Sequence, residues 1–424
     1  MFGNVYFLKI VSILFRLRTI GQGDLVRWLS PLFTVVAVGL SLALVHAEEP
    51  SKATGTGTGA DFDIKQLEHD RIMEAAERLL PDDPITVTAT QCPRSSGGLH
   101  DFYSEGDYWW PNSENPDGPY VQRDGMTNPD NFVDHRNAMI RFSIHVGTLT
   151  SAYRLTGEQK YANQANKHFQ AWFIDESTRM NPNLQYAQAI KGISKGRGIG
   201  IIDTVQLIEV ARSAQVLEHA GALQGECLSG TKKWFADYVQ WLTTSPNGLE
   251  EMKAANNHGT CWVMQVAAFS DFIGNEQQLA ACRKRFREVL LPEQMAADGS
   301  FPRELRRTKP YGYSLFNADA MATICQILST PQDNLWTYTT AEGRNMRSAT
   351  EFLFPYLQDK SKWPYQHDIM CWDFWPVRSP LLLFSGLAYH EPKYLELWRM
   401  LEANPNNAEV IRNLPIRHPL LWVD

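Results

Sequence analysis

The sequence lacks a surplus of basic residues, since 47 acidic residues outnumber 40 basic ones and the formal net charge is −7. Nucleic-acid binders need basic surfaces to match the phosphate backbone, so nucleic acid is not an expected partner. An acidic polymer of another kind is still compatible with this charge, because a local cationic cleft can lie on an acidic body.

Cysteine and histidine pairs with metal-ligand spacing are also missing. None of the six cysteines forms a CxxC pair, which gives no support to a zinc ribbon, and their disulfide pairing is open. The 11 histidines show no HxxxH spacing, so neither a catalytic metal nor a cofactor is predicted. A structural ion held by carboxylates is left open.

The apolar run from Leu32 to Val45 is shorter than the roughly 20 residues that a membrane-spanning helix needs. Four basic residues precede it, and Val45-His46-Ala47 offers a small-residue cleavage site. This order predicts a signal peptide over residues 1–47 and a flexible Gly/Thr-rich leader over residues 48–60. The protein is therefore expected to be secreted or periplasmic, with no stable membrane partner after cleavage; an uncleaved anchor is the alternative.

From residue 61 to residue 424 the hydrophobic pattern predicts one mostly helical domain, and strand-like alternation is scarce. Helix count and pairing favour an all-α fold in which helical hairpins ring a cleft, an incomplete (α/α) toroid. The predicted helices cover 63–80, 137–155, 158–173, 200–219, 229–243, 259–273, 277–296, 314–328, 349–357, 379–388 and 392–403.

The segment Asn256-Asn257-His258-Gly259 precedes the predicted helix 259–273. One interpretation is that an asparagine simply caps this helix. The other is that two amides and an imidazole at a helix N-terminus form a donor cluster that stabilises a developing negative charge.

A second candidate segment is FPRELRRTKPYGYSLFN, residues 301–317. It holds four cations, including Arg303, Arg306 and Arg307, directly before Tyr311 and Tyr313. Proline and glycine within it predict a shaped loop ahead of the helix 314–328. A solvated charged face is the alternative, but a guanidinium beside a phenol favours phenolate and could prepare a tyrosine to act as a base.

Two further segments offer contacts for a sugar polymer. DYWWPNSENPDGPYVQRDG, residues 107–125, presents Trp109 and Trp110 as stacking faces and Arg123 as a carboxylate partner, with Arg136 shortly after it. KGISKGRGIGIID, residues 191–203, is glycine-rich and cationic around Arg197, but it lacks the residue order of a phosphate loop. Ordinary surface loops are the alternative for both segments.

Four pieces, YWWPN…NPDGPYVQRDG, GRGIGIID, NNHG and DGSFPRELRR…YGYS, occur in this order and resemble the alginate lyase superfamily of helical polyuronate lyases. The nearest likeness is to the branch with polymannuronate, glucuronan and cellouronate lyases, polysaccharide lyase family 38, while family 5 alginate lyases are more distant. The resemblance covers most of residues 101–328. It implies an incomplete (α/α) toroid and a metal-free β-elimination on an acidic polysaccharide.

Carried over by position, the resemblance places the catalytic asparagine, histidine, arginine and tyrosine at Asn257, His258, Arg307 and Tyr313. Tyr311 competes with Tyr313 for the catalytic role and Arg306 competes with Arg307, and in family 5 the arginine-to-tyrosine spacing is one residue longer. The residues expected to bind substrate are Trp109, Trp110, Arg123, Arg136, Arg197, Arg303, Arg306 and Tyr311.

Two other functions are compatible with the sequence. A glycoside hydrolase would need two carboxylic acids across the cleft, and Asp203, Glu251, Glu304 and Asp319 are available. A non-catalytic protein that binds polyuronate would keep the tryptophans and arginines without needing Tyr313. The products distinguish the three, because a lyase alone leaves an unsaturated end that absorbs ultraviolet light.

Overall fold

The computed structural model describes residues 62–423. Polar and glycine-rich loops divide this part of the chain into α-helices and four short strands. Asp63 caps the first helix by accepting the backbone N–H groups of Lys65 and Gln66. Two long helices end at glycines with φ of 71°, Gly157 and Gly274, a backbone conformation that other residues adopt at a cost. The helices are α1 (Ile64–Leu79), α2 (Asp134–Thr156), α3 (Gln159–Phe169), α4 (Leu207–His219), α5 (Gly225–Thr244), α6 (Pro246–Met252), α7 (Asn257–Ile273), α8 (Glu276–Arg285), α9 (Leu291–Gln294), α10 (Pro302–Leu305), α11 (Pro310–Leu328), α12 (Met346–Gln358), α13 (Pro380–Tyr389), α14 (Pro392–Met400) and α15 (Ala408–Arg412).

Five of these helices form the centre of the molecule. In the order α2, α4, α7, α11 and α13, each packs against the next, so that together they describe an arc. They are buried over most of their length, and α7 and α11 carry apolar side chains almost all round. Helices α1, α3, α5, α8 and α14 pack on the outside of this arc. The all-α fold is therefore confirmed.

The strands form two small sheets beside the arc. β1 (Tyr103–Glu105) pairs in parallel with β4 (Tyr186–Ala189), and β2 (Trp109–Trp110) pairs antiparallel with β3 (Val121–Gln122). In the second sheet Trp109 lies opposite Gln122. These pairings bring the tryptophan-rich segment of residues 107–125 next to the glycine-rich segment of residues 191–203.

Most predicted helices are found within a few residues of their predicted bounds. The prediction of a loop before residue 314 is wrong, because Pro310 occupies the first helical position and α11 begins there. Proline suits that position, since its missing N–H group has no partner in the first turn of a helix. Tyr311 and Tyr313 therefore lie in the first turn of a long helix.

The predicted helices 200–219 and 277–296 are less regular than expected. The first begins as the 3₁₀ helix Gly198–Gln206 before α4, and the second contains the π turn Phe286–Leu290 between α8 and α9. The chain divides into two units, Met1–Ala60 and Asp61–Asp424. The predicted signal peptide and leader lie outside the described residues.

Within residues 62–423 all six cysteines are free thiols. Over the same residues, no helix combines the length and the apolar character that crossing a membrane requires.

Candidate active site

The principal cavity lies where α7 and α11 begin. These two helices pack against each other in the central arc, and their first turns carry the Asn257–His258 pair and Tyr313. Helix N-termini favour negative charge, so this end of the arc suits an anionic ligand. The cavity lining includes Tyr108, Trp109, Asp124, Arg197, Asn257, His258, Arg307, Tyr313 and Arg412.

Asn257 is held by a carboxylate rather than acting as a simple cap. Its backbone N–H donates to Glu304 Oε1 at 2.7 Å, and its side-chain amide donates to Glu304 Oε2 at 2.8 Å. Asn256, at the N-cap position, makes no side-chain capping bond. Because Glu304 satisfies the start of α7 from the short helix α10, the orientation of Asn257 is determined by a second segment of the chain.

His258 is oriented by Glu251. The imidazole Nδ1 lies 2.8 Å from Glu251 Oε1, which leaves Nε2 as the ring nitrogen available to a ligand. Glu251 is fully buried at the end of α6. Burial lowers the pKa of His258 and the Glu251 carboxylate raises it, with a net direction above the ordinary value. This favours the imidazolium form, which is suited to bind a carboxylate.

Arg307 presents its guanidinium to the cavity from the segment between α10 and α11. Its Nη2 lies 2.8 Å from Asp124 Oδ1, and Thr308 Oγ1 donates to the same carboxylate at 2.9 Å. The Arg307 side chain is 28% exposed, so part of the cation faces the cavity. Burial raises the pKa of Asp124 and Arg307 lowers it, and the net direction is downward.

Tyr313 faces the cavity beside a second phenol that the sequence motifs did not indicate. The hydroxyl oxygens of Tyr313 and Tyr108 are 2.6 Å apart. Arg307 Nη2 lies 3.5 Å from the same Tyr313 oxygen, and its guanidinium carbon lies 4.5 Å from the centre of the ring. Tyr108 directly precedes Trp109, but nothing in its neighbours signals a partner so far along the chain.

The pKa of Tyr313 is raised well above the ordinary value of 10. Burial is the largest cause and Tyr108 adds to it, while Arg307 acts in the opposite direction. Arg307 therefore lowers the pKa of Tyr313, as predicted, but burial and Tyr108 together raise it by more. This direction favours the neutral phenol of Tyr313 at neutral pH.

The structure separates the two pairs of competing residues. Tyr311 is fully buried, donates its hydroxyl to the carbonyl of Tyr356 at 3.0 Å and does not line the cavity. Arg306 is exposed and also lies outside the cavity lining, as does the exposed Arg303. Tyr313 and Arg307 are the members of each pair that face the cavity. Tyr311, Arg306 and Arg303 were predicted to bind substrate, but none of the three lines the cavity.

Buried Asp368 determines how the first turn of α11 is presented. Its carboxylate accepts the backbone N–H of Tyr311 at 2.8 Å and that of Gly312 at 2.9 Å. Any larger residue at position 312 would meet the same carboxylate, because its Cβ would lie 2.9 Å from Asp368 Oδ2. Burial raises the pKa of Asp368 to about 6, with the two N–H donors opposing it. This contact explains the glycine between the two tyrosines.

Arg197 and Trp109 form another part of the cavity wall. Arg197 Nε donates to the Gln188 carbonyl at 2.9 Å, and the guanidinium carbon lies 5.8 Å from the Trp109 ring centre. Among the described residues Arg197 forms no ion pair. Gln188 has a φ of 48°, which is unusual for a residue other than glycine and points to a backbone held in place by its surroundings. Arg197 therefore keeps its charge available for an anionic ligand.

Arg136 lies beneath the cavity instead of lining it. It is 4% exposed, and its nitrogens pair with Asp107 at 2.7 Å and Asp203 at 3.1 Å. Arg412, which no sequence motif indicated, pairs with the other oxygen of Asp107 at 2.7 Å and does line the cavity. Arg412 therefore lines the cavity, whereas Arg136, the residue predicted to bind substrate, holds the Asp107 carboxylate from the other side.

Trp110 and Arg123 form a pair outside the principal cavity. The Arg123 guanidinium carbon lies 5.0 Å from the Trp110 ring centre, and Arg123 is exposed. Trp110 donates its indole N–H to the Met126 carbonyl at 2.9 Å. Both lie on the same hairpin as Trp109, where they can contact only a ligand that extends beyond the cavity.

The four carboxylates considered for a hydrolase are all engaged internally. Glu251 holds His258, Glu304 holds Asn257, and Asp203 pairs with Arg136 and accepts the hydroxyl of Ser104 at 2.5 Å. Asp319 accepts from Ser379 and the Leu381 N–H. Residues 62–423 contain no group of three or more side chains placed to hold a metal ion.

Comparison with known proteins identifies the family. The family model described as alginate lyase matches residues 86–363. An alginate lyase from Bacteroides ovatus is 32% identical, with a TM-score of 0.72, and the alignment covers 84% of this chain and 93% of that one. A histidine-to-alanine variant of alginate lyase A1-III, solved with a tetrasaccharide, shares the fold at 15% identity and a TM-score of 0.53, covering 83% of this chain and 94% of that one. No curated protein matches the chain significantly.

The family match covers well over half of the chain and includes every residue of the Asn–His–Arg–Tyr set. The chain belongs to the alginate lyase family, whose members are polysaccharide lyases that act on acidic polyuronates.

Proposed function

We propose that this cavity cleaves a 1,4-linked polyuronate by β-elimination, with Tyr313 transferring the proton and with Arg307, His258 and Asn257 binding the uronate carboxylate. The observation that carries this proposal is that all four side chains line one cavity. Each is also held by a separate partner, so their positions do not depend on the ligand.

The C5–H bond beside a uronate carboxylate is barely acidic while that carboxylate keeps its full negative charge. Arg307, the imidazolium of His258 and the amide of Asn257 supply donors that spread this charge in the enolate-like intermediate. One such donor is commonly worth about 2.7–4 kcal/mol of barrier.

Tyr313 then accepts the C5 proton as phenolate. The C5–H electron pair becomes the C4–C5 double bond, the C4–O4 bond breaks, and Tyr313 returns a proton to O4. The products are a chain whose new non-reducing end is the unsaturated uronate and a chain whose new reducing end carries the protonated oxygen as its C1 hydroxyl. Because the resting phenol is neutral, ionisation of Tyr313 precedes the step, and Tyr108 is the neighbour to which its hydroxyl is hydrogen-bonded.

Stereochemistry favours β-D-mannuronate or β-D-glucuronate as the cleaved unit. In both sugars the C5 proton and the C4 oxygen leave from the same face, so one tyrosine can serve both steps. Guluronate presents them on opposite faces and needs a second base, a role that His258 could fill only as a neutral imidazole and not as the imidazolium favoured here. Alginate lyase A1-III, which shares this fold, was solved with a bound tetrasaccharide.

The proposal is tested by incubating the protein with polymannuronate, polyguluronate, glucuronan and oxidised cellulose while ultraviolet absorbance is recorded. Arg307→Ala should lower the rate on the best substrate by about 10²–10³-fold, whereas Arg306→Ala, its exposed neighbour, should stay within a few fold. Binding without any increase in absorbance would indicate a non-catalytic protein. New reducing ends without ultraviolet absorbance would indicate a hydrolase.

We also propose that the protein acts outside the cytoplasm, because a polymeric substrate does not cross a membrane unaided and residues 1–47 have the order of an export signal. Fractionation of cells that express the full chain tests this. A protein that starts after residue 47 in the periplasm or medium supports it, while a full-length protein in the cytoplasm contradicts it.

A further inference from the structure

The short helix α15 reaches the active site from near the end of the chain. Residues 408–412 lie outside the segment 86–363 that the alginate lyase family model matches. Even so, α15 places one charged side chain, Arg412, in the cavity wall and a second, Glu409, against Lys309 behind the wall. Arg412 pairs with Asp107, next to Tyr108, and Glu409 pairs with Lys309, one helical turn before Tyr313.

Lys309 is placed between the two tyrosines. Its ammonium lies 4.9 Å from the ring centre of Tyr108 and 5.6 Å from that of Tyr313. The Lys309 side chain is 3% exposed, and the Glu409 side chain is 10% exposed. A flexible lysine buried to this degree needs a partner, and Glu409 is its ion-pair partner. The backbone carbonyl of Lys309 also accepts the Tyr313 N–H at 3.0 Å.

We propose that Lys309, held by Glu409 of α15, is a positioning residue that aligns the Tyr108–Tyr313 pair and favours the ionised form that the elimination requires. The inference rests on the proposed function of Tyr313. Lys309 does not line the cavity and therefore acts through the tyrosines, not on the substrate. A cation over an aromatic ring stabilises it electrostatically, and more strongly when water is excluded.

Several other charged groups surround the tyrosine pair. Arg307 lowers the pKa of Tyr313, whereas Asp124 and Tyr108 raise it. The Lys309 end of the site also contains Asp107 with Arg412, and Asp368 beneath the first turn of α11. Cys371 lies beside Glu409, and His258 lines the same cavity. Burial raises the pKa of the Asp107 and Asp368 carboxyls, and Lys309 is among the groups that lower it. Only the alkaline limb of the pH profile, where the tyrosines titrate, therefore reports on the effect of Lys309 on the tyrosine pair.

The test compares Lys309→Met, Lys309→Arg, Glu409→Gln and the Lys309→Met/Glu409→Gln double variant on the polyuronate that the wild type cleaves best. Lys309→Met should lower kcat by on the order of tenfold to a hundredfold with little change in KM. The limb of the pH profile that belongs to the tyrosines should move to higher pH by on the order of one unit. Lys309→Arg should keep most of the wild-type kcat and most of the wild-type pH profile. The kcat of the double variant should be no lower than that of the less active single variant.

A control is provided by exposed Lys160, which pairs with Glu77 above the ring of buried Tyr161. There the lysine also pairs with a glutamate, at 2.8 Å, and lies 4.7 Å from a tyrosine ring centre, but remote from the cavity. Lys160→Met should leave kcat and the pH profile unchanged. An unmoved profile in Lys309→Met would overturn the inference, as would an effect confined to KM. If Lys309→Met does not fold, a pH profile of Glu409→Gln that matches the wild type overturns the inference. A wild type that is inactive on every polyuronate refutes the proposed function itself.

Discussion

Tyr313 and Tyr108 share a hydrogen bond of 2.6 Å although 205 residues separate them in the sequence. Tyr313 belongs to the first turn of α11, and Tyr108 precedes the β2 strand of the tryptophan-rich hairpin. The hairpin therefore contributes directly to the environment of the proposed base. Any movement of the hairpin would change both the shape of the cavity and the ease with which Tyr313 ionises.

Replacement of Tyr108 by phenylalanine should move the tyrosine limb of the kcat/KM profile to lower pH. Tyr108 raises the pKa of Tyr313, both by charge and by the hydrogen bond, so its removal lowers that pKa. Steady-state rates measured across the pH range by ultraviolet absorbance check this. Tyr120→Phe, on the same hairpin and outside the cavity lining, serves as the control. A limb that moves to higher pH would contradict the assignment.

The two neighbouring tyrosines should differ in how activity responds to the loss of a hydroxyl. Tyr313→Phe should lower kcat by on the order of 10²–10⁴-fold, the usual contribution of a positioned acid–base group. It should also lose about 1 kcal/mol of stability with the hydrogen bond to Tyr108. Tyr311→Phe should keep its activity and lose about 1 kcal/mol of stability, because it gives up the hydrogen bond to the Tyr356 carbonyl. Initial rates and thermal melts of both variants measure this. If Tyr311→Phe is inactive and Tyr313→Phe is active, the catalytic residue is Tyr311 and not Tyr313.

The helices could be predicted from the sequence because apolar residues recur at helical spacing, and that spacing is a local property. The first turn of α11 was missed for a local reason as well. Pro310 and Gly312 usually interrupt helices, but proline is favoured at the first helical position and Gly312 leaves room for the Asp368 carboxylate. The N–H groups that follow this proline find their acceptor on Asp368, which lies 56 residues beyond Gly312.

The candidate site was only partly predictable, because partners from distant segments determine which side chains face the cavity. Arg136 and Arg412 are both arginines near Asp107, yet the first is enclosed between two carboxylates and the second reaches the cavity. Nothing in the sequence around either residue encodes that difference. Arg306 and Arg307 differ for the same reason. Asp124 pairs with Arg307 at the cavity, whereas Arg306 stays exposed.

Arg197 should contribute mainly to substrate binding. It lines the cavity beside Trp109 without an ion-pair partner among the described residues, so an entering carboxylate need not displace an internal one. Arg197→Gln should raise KM by about tenfold or more with a smaller effect on kcat, as expected for a hydrogen bond to a charged group. Kinetics on oligouronates of defined length measure it. Lys195→Met removes an exposed cation from the same loop and should change neither parameter.

Asp319 should make stability depend on pH between about 4 and about 7. It is 3% exposed in the middle of α11, accepts from the Ser379 hydroxyl and from the Leu381 N–H at 3.0 Å, and burial raises its pKa to about 7. The folded protein therefore holds a proton that the unfolded chain, with a carboxyl pKa of about 3.9, releases. The resulting stability is fully present below the unfolded value and is lost as pH rises through the folded one.

Between these two pKa values the free energy of unfolding should fall by up to about 1.4 kcal/mol per pH unit through this group alone. Asp319→Asn keeps an oxygen acceptor for Ser379 and Leu381 but cannot titrate, so its unfolding free energy should lack this slope. Urea unfolding of both proteins at several pH values gives the difference, in which the other titrating groups cancel. Parallel pH dependences in the two proteins would mean that Asp319 is ionised in the folded state, and that its two donors outweigh the cost of burying the charge.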